Sequence, residues 1–191
     1  MDSGNMISES PIFYNLMEFI IKPCDEKQLP EIREIFNEAI LNSTALYDYK
    51  LRTMEIMDIW YAEKQTGNYP VIGVFDHDNL LLGFATYGSF RSRPAYKYSV
   101  EHSVYVKSDQ RGKGIGTLLL KEIVKTAQEQ EYHVLVGGID ASNLESIRLH
   151  QKEGFVFNGI IREAGYKFGR WLDLAFYQLI LKTPLNPQED N

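Results

Sequence analysis

Apolar residues recur along the chain at two spacings, every second position in some segments and every third or fourth position in others. The first spacing is typical of strands and the second of helices with one buried face. Seven segments have the strand spacing, over residues 19–22, 71–75, 81–90, 99–106, 134–139, 155–161 and 171–181. Four have the helical spacing, over residues 29–41, 53–64, 114–131 and 144–152. The chain is therefore predicted to form an α/β or α+β sheet with helices packed against it.

Local signals support several of these boundaries. The polar residues 76–79 separate two strand segments and predict an antiparallel hairpin. Asn143 is placed to cap the last helix at its beginning, and Gly154 follows its end. The third helix has the clearest amphipathic pattern, with an apolar stripe of Ile115, Leu118, Leu119, Ile123 and Ala127.

The length of 191 residues predicts a single domain, which we place at residues 17–182. Residues 1–16 mix polar and apolar positions without a period and are interpreted as an N-terminal extension. They could be natural, a tag remnant or a misassigned start. Residues 183–191 are interpreted as a short polar tail.

Charge and cysteine content exclude several classes of protein. With 20 Lys and Arg against 26 Asp and Glu, the net charge of -6 gives no general attraction to nucleic acid or anionic lipid. Cys24 is the only cysteine, which excludes intramolecular disulfides and CxxC metal sites and fits a reducing compartment. No apolar run is long enough for a membrane span. We expect a cytoplasmic protein without bound metal, nucleic acid or membrane.

The clearest chemical signal is a glycine-rich loop between the fourth predicted strand and the third predicted helix. Residues 110–117 read QRGKGIGT. Glycines at this spacing let the backbone amides converge on one point, which suits a pyrophosphate, and Arg111 and Lys113 add positive charge. The alternative is an ordinary surface turn before a helix. Walker A and dinucleotide motifs fit less well, since Lys113 lies between glycines and Thr117 stands where a third glycine is required.

This loop resembles the coenzyme A-binding motif of the GNAT N-acetyltransferase superfamily, Gln/Arg-x-x-Gly-x-Gly/Ala. A second signature follows at residues 143–155. Residues 91–96, 101–106 and 167–173 look like the branch that acetylates phosphinothricin and methionine sulfoximine. The resemblance covers roughly residues 19–181. It implies a mixed sheet of about six or seven strands flanked by about four helices, with splayed strands at the coenzyme site.

The resemblance also implies how acetyl-CoA, the expected co-substrate, is bound. The strand before the glycine loop would pair with the pantetheine arm, and Arg111 would contact the pyrophosphate. Asn143 would hydrogen-bond the coenzyme arm, although its role could equally be that of a helix cap. The strand backbone comes from Val104, Tyr105 and Val106. The pyrophosphate would lie on the amides of Gly112, Lys113, Gly114, Ile115, Gly116 and Thr117.

Glu101 is the candidate catalytic base. An amine is mostly protonated at neutral pH and must lose a proton before it attacks a thioester. Strand alternation places Glu101 on one face with residues 103 and 105, and burial there would raise the pKa of its carboxyl group. The alternative is a solvated or salt-bridged glutamate. The amide of Val104 would stabilise the oxyanion by the geometry that the resemblance implies.

His150 is the second catalytic candidate. It follows Asn143 by seven residues and Ile147 by three, so the three share one helical face. The resemblance implies three possible roles: acid for the departing thiolate, proton relay or orientation of the substrate. A packed or capping histidine is the structural alternative. His77, His102 and His133 are assigned no chemistry.

Arg91 and Arg93 are the candidate substrate clamp, because guanidinium groups bind carboxylate, phosphinate or sulfoximine oxygens bidentately. A solvated surface pair is the alternative. Ser103 is a further substrate-binding candidate. The resemblance implies that residues 36–49 and Trp60 roof the substrate pocket, although they could be ordinary core. It also implies a homodimer.

The sequence thus predicts an acetyl-CoA-dependent N-acetyltransferase that acts on the α-amino group of a small amino acid or a toxic analogue of one. An acetyltransferase of peptide N-termini or polyamines is one alternative, and a non-catalytic coenzyme A-binding regulatory module is another. A nucleotide-dependent oxidoreductase fits least well.

Overall fold

A computed structural model of the protein describes residues 19–189, so the predicted extension and domain start lie outside the described residues. The strands are β1 Ile20–Pro23, β2 Val71–Phe75, β3 Leu81–Ser89, β4 Ser99–Val106, β5 Val134–Asp140, β6 Val156–Lys167 and β7 Arg170–Ile180. The helices are α1 Leu29–Asn42, α2 Met54–Thr66, α3 Ile115–Glu129 and α4 Leu144–Lys152. The predicted mixed sheet with four flanking helices is confirmed. None of the described helices is both long and apolar enough to cross a bilayer.

The seven strands form one sheet in the order β1-β2-β3-β4-β5-β7-β6. Every neighbouring pair is antiparallel except β4 and β5. These two parallel strands pair only through residues 99–101 and 134–136. β4 continues to pair with β3 as far as Val106, so its other edge is left without a strand partner. The predicted splay is therefore present in the sheet register.

Apolar side chains on both faces of the sheet explain why it is covered by helices on both sides. All five residues of β2 and the first seven of β3 are buried. One core packs against α3 and a second against α1 and α2. The predicted stripe of α3 is right except at Leu118, which is only partly buried. The buried face of the helix includes Leu120 in place of Leu118. Its buried residues are Ile115, Leu119, Leu120, Ile123 and Ala127.

The main error in the predicted elements concerns β6, which runs to Lys167 and not to Ile161. Its alternation is interrupted by two register shifts, between Phe157 and Gly159 and between Ile161 and Gly165. Pairing with β7 holds this polar continuation in the sheet, which a period of two cannot reveal.

The predicted helix signals are confirmed. Asn143 accepts a hydrogen bond from the amide of Ser146, and Gly154 has a φ of +89° after α4. Residues 76–79 connect the antiparallel strands β2 and β3. These local features fix the ends of the elements that surround the splay.

Candidate active site

A cavity of about 570 Å³ opens where β4 and β5 separate. Its walls come from the two splayed strands, the beginning of α3, the inner side of α4, and α1 with the loop after it. Most of the residues singled out in the sequence border this one cavity. They are Glu101, Ser103, Val104, Tyr105, Val106, Arg111, Gly112, Gly114, Ile115, Gly116, Asn143 and His150.

The free edge of β4 presents peptide groups to this cavity. The amide of Lys107 donates to the carbonyl of Leu82 on β3 at 2.9 Å. Because successive residues of a strand direct their peptide groups to opposite sides, those of Val104 and Val106 point away from β3 and into the splay. An extended chain lying in the cavity can therefore pair with β4 as an added strand.

The glycine loop leaves a set of amides free at the beginning of α3. Gly112 and Gly114 have φ values of +79° and +84°, the left-handed region that favours glycine. Among the described residues, the amides of 112–116 donate to no other group of the chain. Free amides at a helix N-terminus attract an anion. The loop thus has the local geometry of a phosphate-binding site.

Two residues of the predicted pyrophosphate site lie outside the cavity. Thr117 does not border it, and its amide donates to the carbonyl of Gly114 at 3.0 Å, which removes it from the free donors. Lys113 does not border it either, and its Nζ donates to Oε1 of Gln110 at 2.8 Å. The Thr117 amide is bonded because α3 begins with a tight turn, in which the Gly114 carbonyl accepts from both Thr117 and Leu118.

The charge of Arg111 is already partnered in this structure. Its guanidinium lies 3.2 Å from Oε2 of Glu38 on α1, and its Nε donates to the Val106 carbonyl at 3.4 Å. Both side chains of the ion pair border the cavity. An anion bound at the glycine loop would compete with Glu38 for the guanidinium.

Removal of the Glu38 charge is therefore expected to tighten binding of a phosphate-containing ligand. Glu38→Gln should lower the Kd for coenzyme A by about two- to five-fold, the value of one partly exposed ion pair. Titration calorimetry would measure this, with the exposed Glu34 of the same helix changed to glutamine as the charge-matched control. Equal affinity in both variants would contradict the competition.

Glu101 lies at the point where β4 and β5 begin to separate. Burial raises the pKa of its carboxyl group, and the cation of Arg91 partly opposes that increase. A Cβ atom at Gly138 on β5 would lie 3.0 Å from Oε1 of Glu101, so the absence of a side chain there leaves room for the carboxylate. The residue has the burial and the position of a general base.

His150 is buried at the cavity wall and faces a histidine to which the sequence assigned no role. Its Nε2 lies 2.9 Å from Nε2 of His102, and its Nδ1 lies 2.7 Å from the Ser146 carbonyl. Strand alternation places His102 on the face of β4 opposite that of Glu101. α4, which carries His150, packs on that same face. The order of strands and helices could therefore have indicated that His102 and His150 meet.

The predicted arginine clamp does not border the cavity. Arg91 lies over the ring of Phe90, with 4.6 Å from the guanidinium carbon to the ring centroid. Arg93 is exposed and precedes a short 3-10 helix at Pro94–Tyr96. Arg91 is nevertheless near enough to influence the pKa of Glu101. Both residues belong to the loop between β3 and β4, and neither side chain lines the cavity.

The loop after α1 covers the cavity and is held by the hairpin of β6 and β7. The ammonium group of Lys167 donates to the carbonyls of Ser43 at 2.8 Å and Leu46 at 2.6 Å. Residues 43–47 border the cavity. Phe36 and Trp60, in contrast, pack edge to face at 5.4 Å, and Phe36 is buried in the core beside α1 and α2. The predicted roof is thus divided between a covering loop and ordinary core.

Asp140 at the end of β5 completes the polar part of the wall. Its burial alone would raise the pKa of the carboxyl group. Hydrogen bonds from Thr44 and Ser142, with the cation of Arg170, outweigh burial and lower that pKa. Asp140 therefore stays ionised and ties the covering loop to β5.

A comparison with protein families matches this architecture. Residues 21–176 match the model described as an acetyltransferase (GNAT) domain. The chain belongs to the GNAT acetyltransferase family. Its splayed β4 and its glycine loop are thus features of a GNAT domain, and the predicted family resemblance is confirmed.

Relatives and solved structures of acetyltransferases are similar to this chain over most of its length. The chain is 39% identical over 165 residues to an L-methionine sulfoximine/L-methionine sulfone acetyltransferase from Pseudomonas aeruginosa, covering 86% of this chain and 96% of the relative. A solved structure from Acinetobacter baylyi is 57% identical, with a TM-score of 0.89 and coverage of 90% and 97%. A phosphinothricin acetyltransferase from Sinorhizobium meliloti, solved with acetyl-CoA, is 31% identical, with a TM-score of 0.86 and coverage of 90% and 93%.

Proposed function

We propose that this GNAT protein transfers the acetyl group of acetyl-CoA to the α-amino group of a small amino acid or a toxic analogue, of the methionine sulfoximine or phosphinothricin type. One observation carries the proposal. The half-buried carboxylate of Glu101 borders the same cavity as the free edge of β4 and the free amides of the glycine loop. The similarity to the Pseudomonas aeruginosa sulfoximine acetyltransferase supports the acceptor class.

The residues around the splay fit acetyl-CoA as the co-substrate. The peptide groups of Val104 and Val106 that point into the splay would pair with the pantetheine arm, once the Val106 carbonyl is released from Nε of Arg111. The pyrophosphate would lie on the free amides of residues 112–116, with Arg111 released from Glu38 to contact it. Asn143 borders the cavity while its side chain caps α4, so both predicted roles remain compatible.

The reaction then follows from the position of each group. Glu101 accepts a proton from the substrate ammonium, directly or through water. The freed nitrogen attacks the thioester carbonyl, a C–N bond forms and the C–S bond breaks. The amide of Val104 would stabilise the oxyanion between these steps. As the C–S bond breaks, the nitrogen loses its second proton and the leaving thiolate takes up one proton, which yields the neutral amide and the free thiol. His150 acts in this step or in orienting the substrate.

Substrate selection is assigned to Arg91, Arg93 and Ser103. Ser103 borders the cavity beside Glu101. The two arginines lie in the loop that leads into β4, and their long side chains would have to turn inward to bind a carboxylate or sulfoximine oxygen. The proposed acceptor therefore requires these two side chains to change conformation on binding.

We further propose that the protein is a homodimer that uses the outer surface of β6 and β7. Large apolar side chains are exposed there, on Phe157, Ile160, Ile161, Tyr166 and Trp171. An exposed apolar patch on an edge strand is a typical protein interface. Sedimentation equilibrium should give twice the mass of 22.0 kDa for the native chain and the single mass for Phe157→Glu. A native monomer would refute this assembly.

The acceptor is tested by a thiol-release screen with acetyl-CoA. Free methionine, its sulfoximine and sulfone, phosphinothricin, a short peptide and a polyamine would be compared, and products would be checked by mass for one added acetyl group. We expect release with the sulfoximine, the sulfone or phosphinothricin. Turnover of the peptide or polyamine alone would favour another acceptor class, and binding of acetyl-CoA without any turnover would favour a regulatory module.

A further inference from the structure

His102 and His150 form a buried imidazole pair that the proposed reaction leaves unexplained. Each residue is only 5% exposed, and both border the cavity. Their two rings and the ring of Phe155 lie with centroids 5.1 Å apart. A Cβ atom at Gly137 would lie 3.0 Å from Cε1 of His102, so β5 has a glycine where the pair approaches it.

The hydrogen-bond partners fix the position of the proton on His150. Its Nδ1 lies 2.7 Å from the carbonyl oxygen of Ser146, one turn earlier in α4. A carbonyl oxygen can only accept a hydrogen bond, so Nδ1 carries the proton. In the neutral ring, Nε2 of His150 is therefore a bare acceptor.

The same reasoning then fixes the proton on His102. Two bare nitrogens would repel each other at the observed 2.9 Å, so Nε2 of His102 carries the hydrogen and donates it. Nδ1 of His102 is left bare. This agrees with its surroundings, because that nitrogen is buried and has no hydrogen-bond partner among the described residues. The opposite tautomer would place two bare Nε2 atoms 2.9 Å apart.

We propose that His102 is a positioning residue for acetyl transfer, which donates its Nε2–H to Nε2 of His150 and so holds His150 as the neutral Nδ1–H tautomer. The positioning role rests on the proposed function, whereas the arrangement of protons stands independently of it. While this bond persists, Nε2 of His150 is an acceptor and has no hydrogen to give. Of the three roles predicted for His150, direct donation to the leaving thiolate is ruled out, a proton relay would first need the hydrogen of His102 to pass to Nε2 of His150, and orientation needs no proton transfer.

The surroundings of the pair also favour two neutral rings. Burial lowers the pKa of His102 to about 3, with a further decrease from His150 and a small opposing effect of the Val136 carbonyl. Burial also lowers the pKa of His150, against the opposing effect of the Ser146 carbonyl. The carboxyl groups that border the cavity from the surrounding elements are Glu38 on α1, Glu101 on β4, Asp140 on β5 and Glu145 on α4.

The first test reads the protons directly. Side-chain ¹⁵N spectra of the full-length protein at pH 7 should show hydrogen on Nδ1 of His150 and on Nε2 of His102, with a scalar coupling between the two Nε2 nuclei. A hydrogen on Nε2 of His150, or a charged ring in either residue, would overturn the proposal.

The second test separates the donated hydrogen from simple packing. Glutamine places an N–H near the position of histidine Nε2, whereas leucine fills space without a donor. With saturating acetyl-CoA, His102→Gln should keep kcat within about three-fold of the native protein, and His102→Leu should lower it about ten-fold or more with little change in KM. Thermal unfolding of both variants would report packing separately.

Three kinetic outcomes would refute the positioning role: two variants with native kcat, two with the same reduced kcat, or a leucine variant with only a raised KM. Failure of the native protein to acetylate any acceptor would refute the proposed function instead. The nitrogen spectra would still decide the tautomers in that case, so the two failures are distinguishable.

Discussion

Glu101→Gln is expected to lower kcat by about 10²- to 10⁴-fold, the usual contribution of a positioned general base. Glutamine has nearly the same shape as glutamate and cannot accept the ammonium proton at neutral pH. The Kd for acetyl-CoA should stay near the native value, because Glu101 is separated along β4 from the peptide groups of Val104 and Val106 that point into the splay. Steady-state kinetics and calorimetry on the same samples would measure both quantities.

The matched control for this variant is Glu63→Gln, an identical change at an exposed site on α2. It should leave kcat and coenzyme binding unchanged. If Glu101→Gln retained native kcat, another group or the solvent would have to accept the proton, and the proposed role of Glu101 would be wrong.

The pH dependence of kcat/KM gives an independent check on Glu101. The base must be ionised, so activity should fall as the pH decreases through the pKa of its carboxyl group. Burial raises that pKa, so the decrease should begin at a higher pH than for an exposed glutamate. Arg91→Leu removes the cation that opposes this increase, and the acidic limb should move to still higher pH. Titration of the substrate amine is common to both profiles and does not affect their difference.

Gly114→Val is expected to raise the Kd for acetyl-CoA by about 10- to 100-fold, the value of one or two charge-assisted hydrogen bonds. Gly114 has a φ of +84°, and a side chain there adds roughly 1–2 kcal/mol of backbone strain. The loop can relieve this strain by leaving the left-handed region, which would turn its amides away from a common point. Calorimetric titration with coenzyme A would measure the loss.

Gly169→Val provides the control for strain alone. Gly169 has a φ of +72°, and neither glycine has another atom within 4 Å of the position of an added Cβ. The two variants should therefore lose similar stability in thermal unfolding, and only Gly114→Val should lose coenzyme affinity. Equal affinity in the two variants would show that the glycine loop does not bind the pyrophosphate.

The elements that the sequence predicted are those with a local cause. Apolar spacing gave the strands and helices, because burial of one face requires a period of 2 or 3.6 residues. The glycine loop was recognisable because residues 112–116 are adjacent and their backbone demands are local. β6 was predicted too short. Its second half is held in the sheet by pairing with β7 after two register shifts, and its own sequence has no strand period there.

Contacts between distant segments were decided only by the tertiary structure. The histidine pair joins residues 48 positions apart, and the ion pair of Arg111 with Glu38 joins residues 73 apart. Lys167 reaches a carbonyl of the covering loop across 124 positions. No local period encodes which of these side chains meet, because their approach depends on how the helices pack on the two faces of the sheet.

The sequence by itself therefore determined the fold class, and it predicted the glycine loop and Glu101 as parts of the site. The tertiary structure decided that His102 faces His150, that Arg111 is held by an acidic partner and that the two outer arginines lie away from the cavity. The physical reason is the range of the forces involved. Backbone preferences and periodic burial act between near neighbours, whereas proton positions and ion pairs depend on groups that only folding brings within hydrogen-bond distance.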